Sequence, residues 1–320
     1  MKPSSFFSYL EDKHYGKLID IMKQHPELVH EKDSHGNTAL HKVCSNGSIN
    51  CLKLLIKAGA NFLATNKRNE TPIFEAVKNE REKCLLYLLE TNKSLVNHIS
   101  TFEGSLVHIA QRHYDPSILS ILLKARAPLE AKNRFGETPL LEAIKEGNSY
   151  MACMLLEAGA NPNVKNSVGF PAIQLAMDES MIDVFSLMLK KNVIIVDKAE
   201  LLFRAIVYNM PDILKELLKL VKKKDLERMM FFGPFNGTPF LFLAIQHSAL
   251  ECLPILMSYF DINKYHNYLG NSLHEAAYHQ EYSCLRYLLS SPNADIHACD
   301  VSYRSILHIL IFQSKKFKLP

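Results

Sequence analysis

Gly36-Asn37-Thr38-Ala39-Leu40-His41 is the stretch that decides the fold, because it returns along the chain. Close copies stand at Asn69-Glu70-Thr71-Pro72-Ile73-Phe74, Gly136-Glu137-Thr138-Pro139-Leu140-Leu141 and Gly237-Thr238-Pro239-Phe240-Leu241-Phe242. Looser ones stand at Gly104-Ser105-Leu106-Val107-His108, Gly169-Phe170-Pro171-Ala172-Ile173-Gln174, Asn271-Ser272-Leu273-His274 and Ser305-Ile306-Leu307-His308. The slot of His41 recurs at Phe74, His108, Leu141, Gln174, Phe203, Phe242, His274 and His308, at intervals of 33, 34, 33, 33, 29, 39, 32 and 34 residues. An apolar pair follows in each unit: Leu54-Leu55, Leu88-Leu89, Leu122-Leu123, Leu155-Leu156, Met188-Leu189, Leu217-Leu218, Leu256-Met257 and Leu288-Leu289. The two series drift together, short at the fifth interval and long at the sixth, so they report one repeating unit.

The unit has a physical reading. Thr38, Thr71, Thr138 and Thr238 can cap a helix, and proline is favoured at the first helical position. Ala76, Ala110, Ala143, Ala176, Ala205, Ala244 and Ala276 let neighbouring helices approach closely. A turn follows, as at Asn46-Gly47 and Glu146-Gly147. A second helix carries the apolar pair, and Gly59 and Gly159 stop it in the left-handed conformation. Asn66, Asn133 and Asn166 begin the next turn. One unit cannot bury its apolar face alone, so the core forms by stacking.

A unit of about 33 residues with Thr-Pro-Leu-His-x-Ala resembles the ankyrin repeat. The resemblance implies an all-α fold, an ankyrin-repeat solenoid of helix-turn-helix units joined by β-hairpin-like loops. It divides the chain into a divergent N-terminal cap (1–32), about eight repeats (33–299) with an irregular junction at 193–236, and a C-terminal half-repeat or truncated repeat (300–320). In the cap, Phe6, Phe7 and Leu10 form one short helix face, and Leu18, Ile19, Ile21 and Met22 a second. The junction reads as a shortened hairpin at Val193–Lys198 followed by an extended one at Val221–Pro234, with its apolar part tucked into the stack; a functional insertion is the alternative. At the other end, either the half-repeat is the cap or the natural chain continues past Pro320.

The resemblance also makes His41, His108, His274 and His308 structural, linking neighbouring hairpins by hydrogen bonds. The period treats cysteine likewise: Cys51, Cys84, Cys252 and Cys284 each fall ten residues after the slot, as small buried residues at the start of the second helix. There is no Cys-x-x-Cys pair, no phosphate-cradling glycine loop, and no nucleophile-elbow or kinase signature. No catalytic residue, metal site or cofactor is expected, and the chain does not read as an enzyme. A net charge of +4 over 320 residues is too weak to argue for nucleic acid. No apolar run reaches the ~20 residues that span a bilayer, and the first residues lack the apolar core of a secretory signal. Seven scattered cysteines fit a reducing, cytosol-like compartment.

The surface then carries the function. Residues six before the slot should form the hairpin tips: His35, Arg68, Phe102, Phe135, Val168, Phe235, Tyr268 and Ser302, with Phe170 beside them. Aromatic residues and arginine are the usual anchors of interfaces. Outward positions of the first helix add Arg112, His113, Tyr208, His247, Tyr278 and His279, and Lys78, Arg112 and Lys145 should make the N-terminal half locally basic. Arg68, Phe102, Arg112, His113, Phe135, Phe170, Tyr208, Phe235, His247, Tyr268, Tyr278 and His279 are the expected partner-binding residues. The expected function is a non-catalytic, monomeric scaffold or adaptor that binds a protein partner along its concave face. The alternative is the targeting module of a larger enzyme or ubiquitin-ligase adaptor. In its degenerate repeats and Lys/Asn/Ile-rich composition the chain is similar to secreted ankyrin effectors of intracellular bacteria, which implies a host protein as partner.

Overall fold

The computed structural model describes residues 20–21, 24–113, 115–231, 237–264 and 270–316. Most of the expected cap, and the tip residues Phe235 and Tyr268, lie outside them. The chain divides into two compact units, Met1–Val193 and Ile194–Pro320.

In the first unit a 3-10 turn, Pro26–His30, precedes five helix pairs. They are α1 (Ala39–Asn46) with α2 (Ile49–Lys57), α3 (Pro72–Lys78) with α4 (Glu82–Thr91), and α5 (Leu106–Ala110) with α6 (Ser117–Lys124). Then come α7 (Pro139–Lys145) with α8 (Ser149–Glu157), and α9 (Ala172–Asp178) with α10 (Ile182–Lys190). The second unit holds α11 (Lys198–Val207) with α12 (Pro211–Lys219), the single helix α13 (Lys223–Phe231), and α14 (Phe240–Gln246) with α15 (Leu253–Tyr259). It continues with α16 (Ser272–Tyr278), α17 (Tyr282–Leu289) and α18 (Ile306–Lys316).

The first helices run from five residues in α5 to eleven in α18, too short to persist alone, so packing holds them. All seven alanines of the period are fully buried. The second helices bury one stripe at one helical spacing, for example Cys84, Leu85, Leu88 and Leu89, or Ile213, Leu214, Leu217 and Leu218. The apolar pairs are not equally sunk. Leu55 is buried where Leu54 is half-buried, and Leu288 is buried where Leu289 is exposed.

Between the helices of a pair, the backbone turns through a left-handed residue six after the slot. Gly47 and Gly147 supply it in two repeats, but Glu80, Ser180, Asn209, Ser248 and Gln280 adopt φ of 52–57° or 60° there without being glycine. The hairpins share one register: Lys32 bridges Thr38, Ile99 pairs Ser105, Lys165 bridges Pro171 and Cys299 bridges Ser305. Proline keeps its expected place at the first helical residue in α3 and α7, whereas Pro171 and Pro239 precede α9 and α14 in an extended conformation.

The irregular junction departs from its reading. Within the stretch expected as an extended hairpin, Lys223–Phe231 form helix α13, anchored by the buried Leu226, and residues 232–234 lie outside the described residues. Ile194 and Val196 are exposed rather than tucked away. Where the Thr-Pro signature is missing, Asp197 caps α11 by accepting from the Glu200 N–H at 3.0 Å.

Candidate protein-binding face

The tips are held by one recurring device. In five described turns a side-chain oxygen at the start accepts two backbone N–H groups, two and four residues on. Asn133 Oδ1 takes Phe135 at 2.9 Å and Glu137 at 3.1 Å. Asp33, Asn66, Asn166 and Asp300 repeat it. Asn and Asp favour this short local bond, which is why they occupy the position. In the hairpin of Phe102, Ser100 Oγ substitutes, accepting from the Phe102 and Glu103 N–H groups.

The histidines fasten each hairpin to the next. His41 Nε2 lies 3.0 Å from the Glu70 carbonyl, His108 Nε2 3.0 Å from that of Glu137, and His274 Nε2 3.2 Å from that of Arg304. A carbonyl only accepts, so Nε2 carries the proton and Nδ1 is left to accept from the N–H of Thr38, Ser105 or Asn271. Burial pushes all three rings below the ordinary histidine pKa. At the far end of the first helix, bonds run the other way. Arg81 Nε donates to Ser45 O, His113 Nε2 to Val77 O and Asn148 Nδ2 to Gln111 O.

Four of the expected binding residues meet in the first unit. Arg68, Phe102, Arg112 and Phe135 line one concavity of about 480 Å³, together with Glu103, Asn133 and Arg134. Phe102 is 51% and Phe135 57% exposed. The Arg134 guanidinium lies 4.6 Å from the centre of the Phe135 ring, and Lys145 Nζ lies 5.7 Å from it. Phe170 is exposed on the next tip but does not line this concavity. His113 is turned inward, its Nδ1 3.0 Å from Glu80 Oε1, so it clamps the preceding repeat instead of facing a ligand.

In the second unit Tyr208 and His247 are exposed at the ends of α11 and α14. Tyr278 donates to Asp300 Oδ2 at 2.8 Å beneath the Arg304 guanidinium, and His279 Nε2 lies 3.0 Å from Glu275 Oε1. Burial raises the Asp300 carboxyl but is outweighed by the Arg304 and Ser302 N–H groups and the Tyr278 and Arg304 side chains, leaving it at about 2.

The expected basic character of Lys78, Arg112 and Lys145 does not survive, because each is paired. Lys78 meets the buried Glu70 at 2.6 Å, and Lys145 meets Glu137 at 3.0 Å. Arg112 donates through Nη1 to Glu103 at 2.7 Å and through Nε and Nη2 to Glu142 Oε1. Burial raises the Glu142 carboxyl even against Arg112, while the bond from Arg112 holds Glu103 low despite its burial. Sequence reasoning missed Glu103, Asn133, Arg134 and Glu142. Arg134 was legible as the neighbour of the Phe135 tip; Glu142 was not, since it reaches Arg112 from the following repeat.

Among the described residues no group of three or more His, Cys, Asp or Glu is placed to hold a metal ion, and no helix is long and apolar enough to cross a membrane. Cys44, Cys51, Cys84, Cys252 and Cys284 are buried free thiols, and burial pushes Cys252 up to about 12.

Residues 12–99, 91–166 and 202–300 match the family described as ankyrin repeats in three copies. The B-cell lymphoma 3 protein homolog of Mus musculus is 28% identical over 159 residues, 48% of this chain and 36% of that protein. The tyrosine-protein kinase Shark of Drosophila melanogaster is 33% identical over 164 residues, 48% of this chain and 17% of that protein. The chain thus spans about a sixth to a third of the length of these two relatives. A crystal structure of an ankyrin repeat protein superposes with a TM-score of 0.54 at 23% identity, covering 59% of this chain and 98% of that one, which is a likeness of fold. The slot period, the turn carboxamides, the histidine bonds and a family match over most of the length converge: this chain belongs to the ankyrin-repeat family.

Proposed function

We propose that the chain is a non-catalytic adaptor whose first unit holds a segment of a partner protein against its hairpin tips. The family is one of interaction modules, and the finer reading rests on one observation. Phe102 and Phe135 stand half exposed on neighbouring turns whose backbones are pinned, beside Arg68 and Arg134. Two large rings held rigidly in solvent lose little entropy on binding, which is what anchors require. Phe170, on the next tip, extends the stripe. In the second unit, Tyr208, His247, Tyr278 and His279 are further candidate contacts for a partner.

The test is affinity purification with the whole chain and a Phe102→Ala/Phe135→Ala variant shown by circular dichroism to be folded. Loss of the same partner bands from the variant is the expected result. Equal recovery would remove these rings from the interface. The likeness in composition to secreted bacterial effectors makes host-cell lysate the first source to use.

A second reading is the targeting module of a longer enzyme or ubiquitin-ligase adaptor. What favours it is that one relative is by name a tyrosine-protein kinase, of which the matched stretch is 17%. The downstream reading frame decides between the two.

A further inference from the structure

The concavity of the first unit carries an unbalanced charge. Its lining comes from three successive turns, with Arg68 on one, Phe102 and Glu103 on the next, and Asn133, Arg134 and Phe135 on the third. Arg112 below them is spoken for, since its guanidinium is shared by Glu103 and Glu142. Arg68 and Arg134 are both exposed, and neither forms an ion pair with a described residue. The rim therefore adds two exposed guanidiniums beside two exposed rings, with Arg134 lying against Phe135, and the three arginines outnumber Glu103 and Glu142 by one.

We propose that this concavity takes an extended, acidic segment of a partner protein. An apolar side chain sits against Phe102 and Phe135, and flanking carboxylates meet Arg68 and Arg134. The proposal rests on the protein-binding reading above and gives its partner a chemistry. A volume of about 480 Å³ suits a few side chains rather than a folded surface. Guanidinium forks match carboxylates bidentately, and both arginines are exposed enough to turn toward them. A single-stranded nucleic acid would also find rings and arginines. It would, however, bring a phosphate at every nucleotide past the Glu103 carboxylate, in a chain whose net charge is only +4.

The test uses the full chain, an Arg68→Glu/Arg134→Glu variant and a Phe102→Ser/Phe135→Ser variant, each checked by circular dichroism. Arg68→Gln/Arg134→Gln replaces the first if charge reversal prevents folding. Random peptides displayed on phage are selected against wild type. In parallel, a fluorescent peptide with a central leucine flanked by Asp and Glu is titrated by fluorescence polarisation. Its Asn/Gln counterpart and a single-stranded oligonucleotide are the comparison probes.

Enrichment of acidic peptides around an apolar residue is expected. So is acidic-peptide binding that weakens about tenfold or more in either double variant and in the Asn/Gln peptide, and that falls as salt rises. Equal binding of the acidic peptide by wild type and the arginine variant overturns the proposal, as does preference for the oligonucleotide. Enrichment of neutral or basic peptides overturns it too, while leaving the protein-binding reading intact. If no peptide is enriched and the acidic probe does not bind, the inference falls. The purification test then judges the broader reading on its own.

Discussion

His108 and Glu137 lie 29 residues apart, yet the His108 Nε2–H donates to the Glu137 carbonyl across the repeat boundary at 3.0 Å. Both groups are buried, so each completes the other's hydrogen bonding where water cannot. His41 and Glu70 repeat the bond at the same separation. Replacing His108 with Ala leaves the Ser105 N–H without its partner, leaves the Glu137 carbonyl with the Asn133 N–H alone, and opens a cavity. A loss of about 2–3 kcal/mol is expected, read as a lower urea midpoint at unchanged slope. A shift of a few tenths would mean that the bond is incidental.

The same histidines set a pH dependence. Burial holds His41, His108 and His274 below the value of about 6.5 that they regain on unfolding. Between the folded and unfolded values, the unfolded chain binds more protons. Stability is therefore complete above the unfolded value and is lost as pH falls through it, levelling off below the folded values. Thermal melts from pH 7.5 downward should show the decline beginning near 6.5, and His108→Gln should make it shallower. Asp300, held at about 2, acts in a separate window and gives way only below the ordinary aspartate range near 4. A flat melting temperature between pH 7.5 and 5 would contradict the assignment of neutral, buried rings.

Ser180 adopts φ of 55° at a turn where Gly47 and Gly147 serve other repeats, and its side chain is exposed. A left-handed non-glycine residue costs about 1–2 kcal/mol, partly offset by the greater freedom that glycine has when unfolded. Ser180→Gly should therefore stabilise the protein by about 0.5–1 kcal/mol in a denaturant titration. A destabilised variant would show that the serine hydroxyl matters more than the backbone strain.

Thiol reactivity offers a further check. Cys299 is exposed and Cys153 partly so, while Cys44, Cys51, Cys84, Cys252 and Cys284 are buried. With an aromatic disulfide reagent, the native protein should release one equivalent quickly, a second slowly, and the rest only on unfolding. Prompt reaction of several thiols would mean that the second helices open readily.

The period made most of the fold legible. Two series of residues with one shared drift located every first and second helix that the structure describes, and they placed His41, His108, His274 and the buried Cys51, Cys84, Cys252 and Cys284. His308, expected to link hairpins as well, is exposed and, among the described residues, bonds only Ser305 of its own hairpin. Helix α13 escaped because it has no Thr-Pro signature and its apolar Met229-Met230 falls outside the period of the other pairs. Among its described side chains Leu226 alone is fully buried, too little pattern for a 3.6-residue period to register. The candidate site was half legible. Tip positions gave Arg68, Phe102 and Phe135, but charge did not read correctly from a one-dimensional tally. Lys78 and Lys145 find their acids eight residues earlier, and Arg112 finds Glu142 thirty residues later. His113 looked outward by position and instead bonds Val77 O, 36 residues back.

Those backward bonds have a mechanical corollary in the first unit. An interface made of leucines alone can slide, since one apolar residue replaces another at little cost. Here a forward histidine bond holds one end of a first helix, and a backward bond such as His113 to Val77 O or Asn148 to Gln111 O holds the other. Two clasps on opposite ends fix the translational phase of neighbouring repeats. Under a pulling force such a stack gives way by parting whole repeats in turn, not by creeping along its seams.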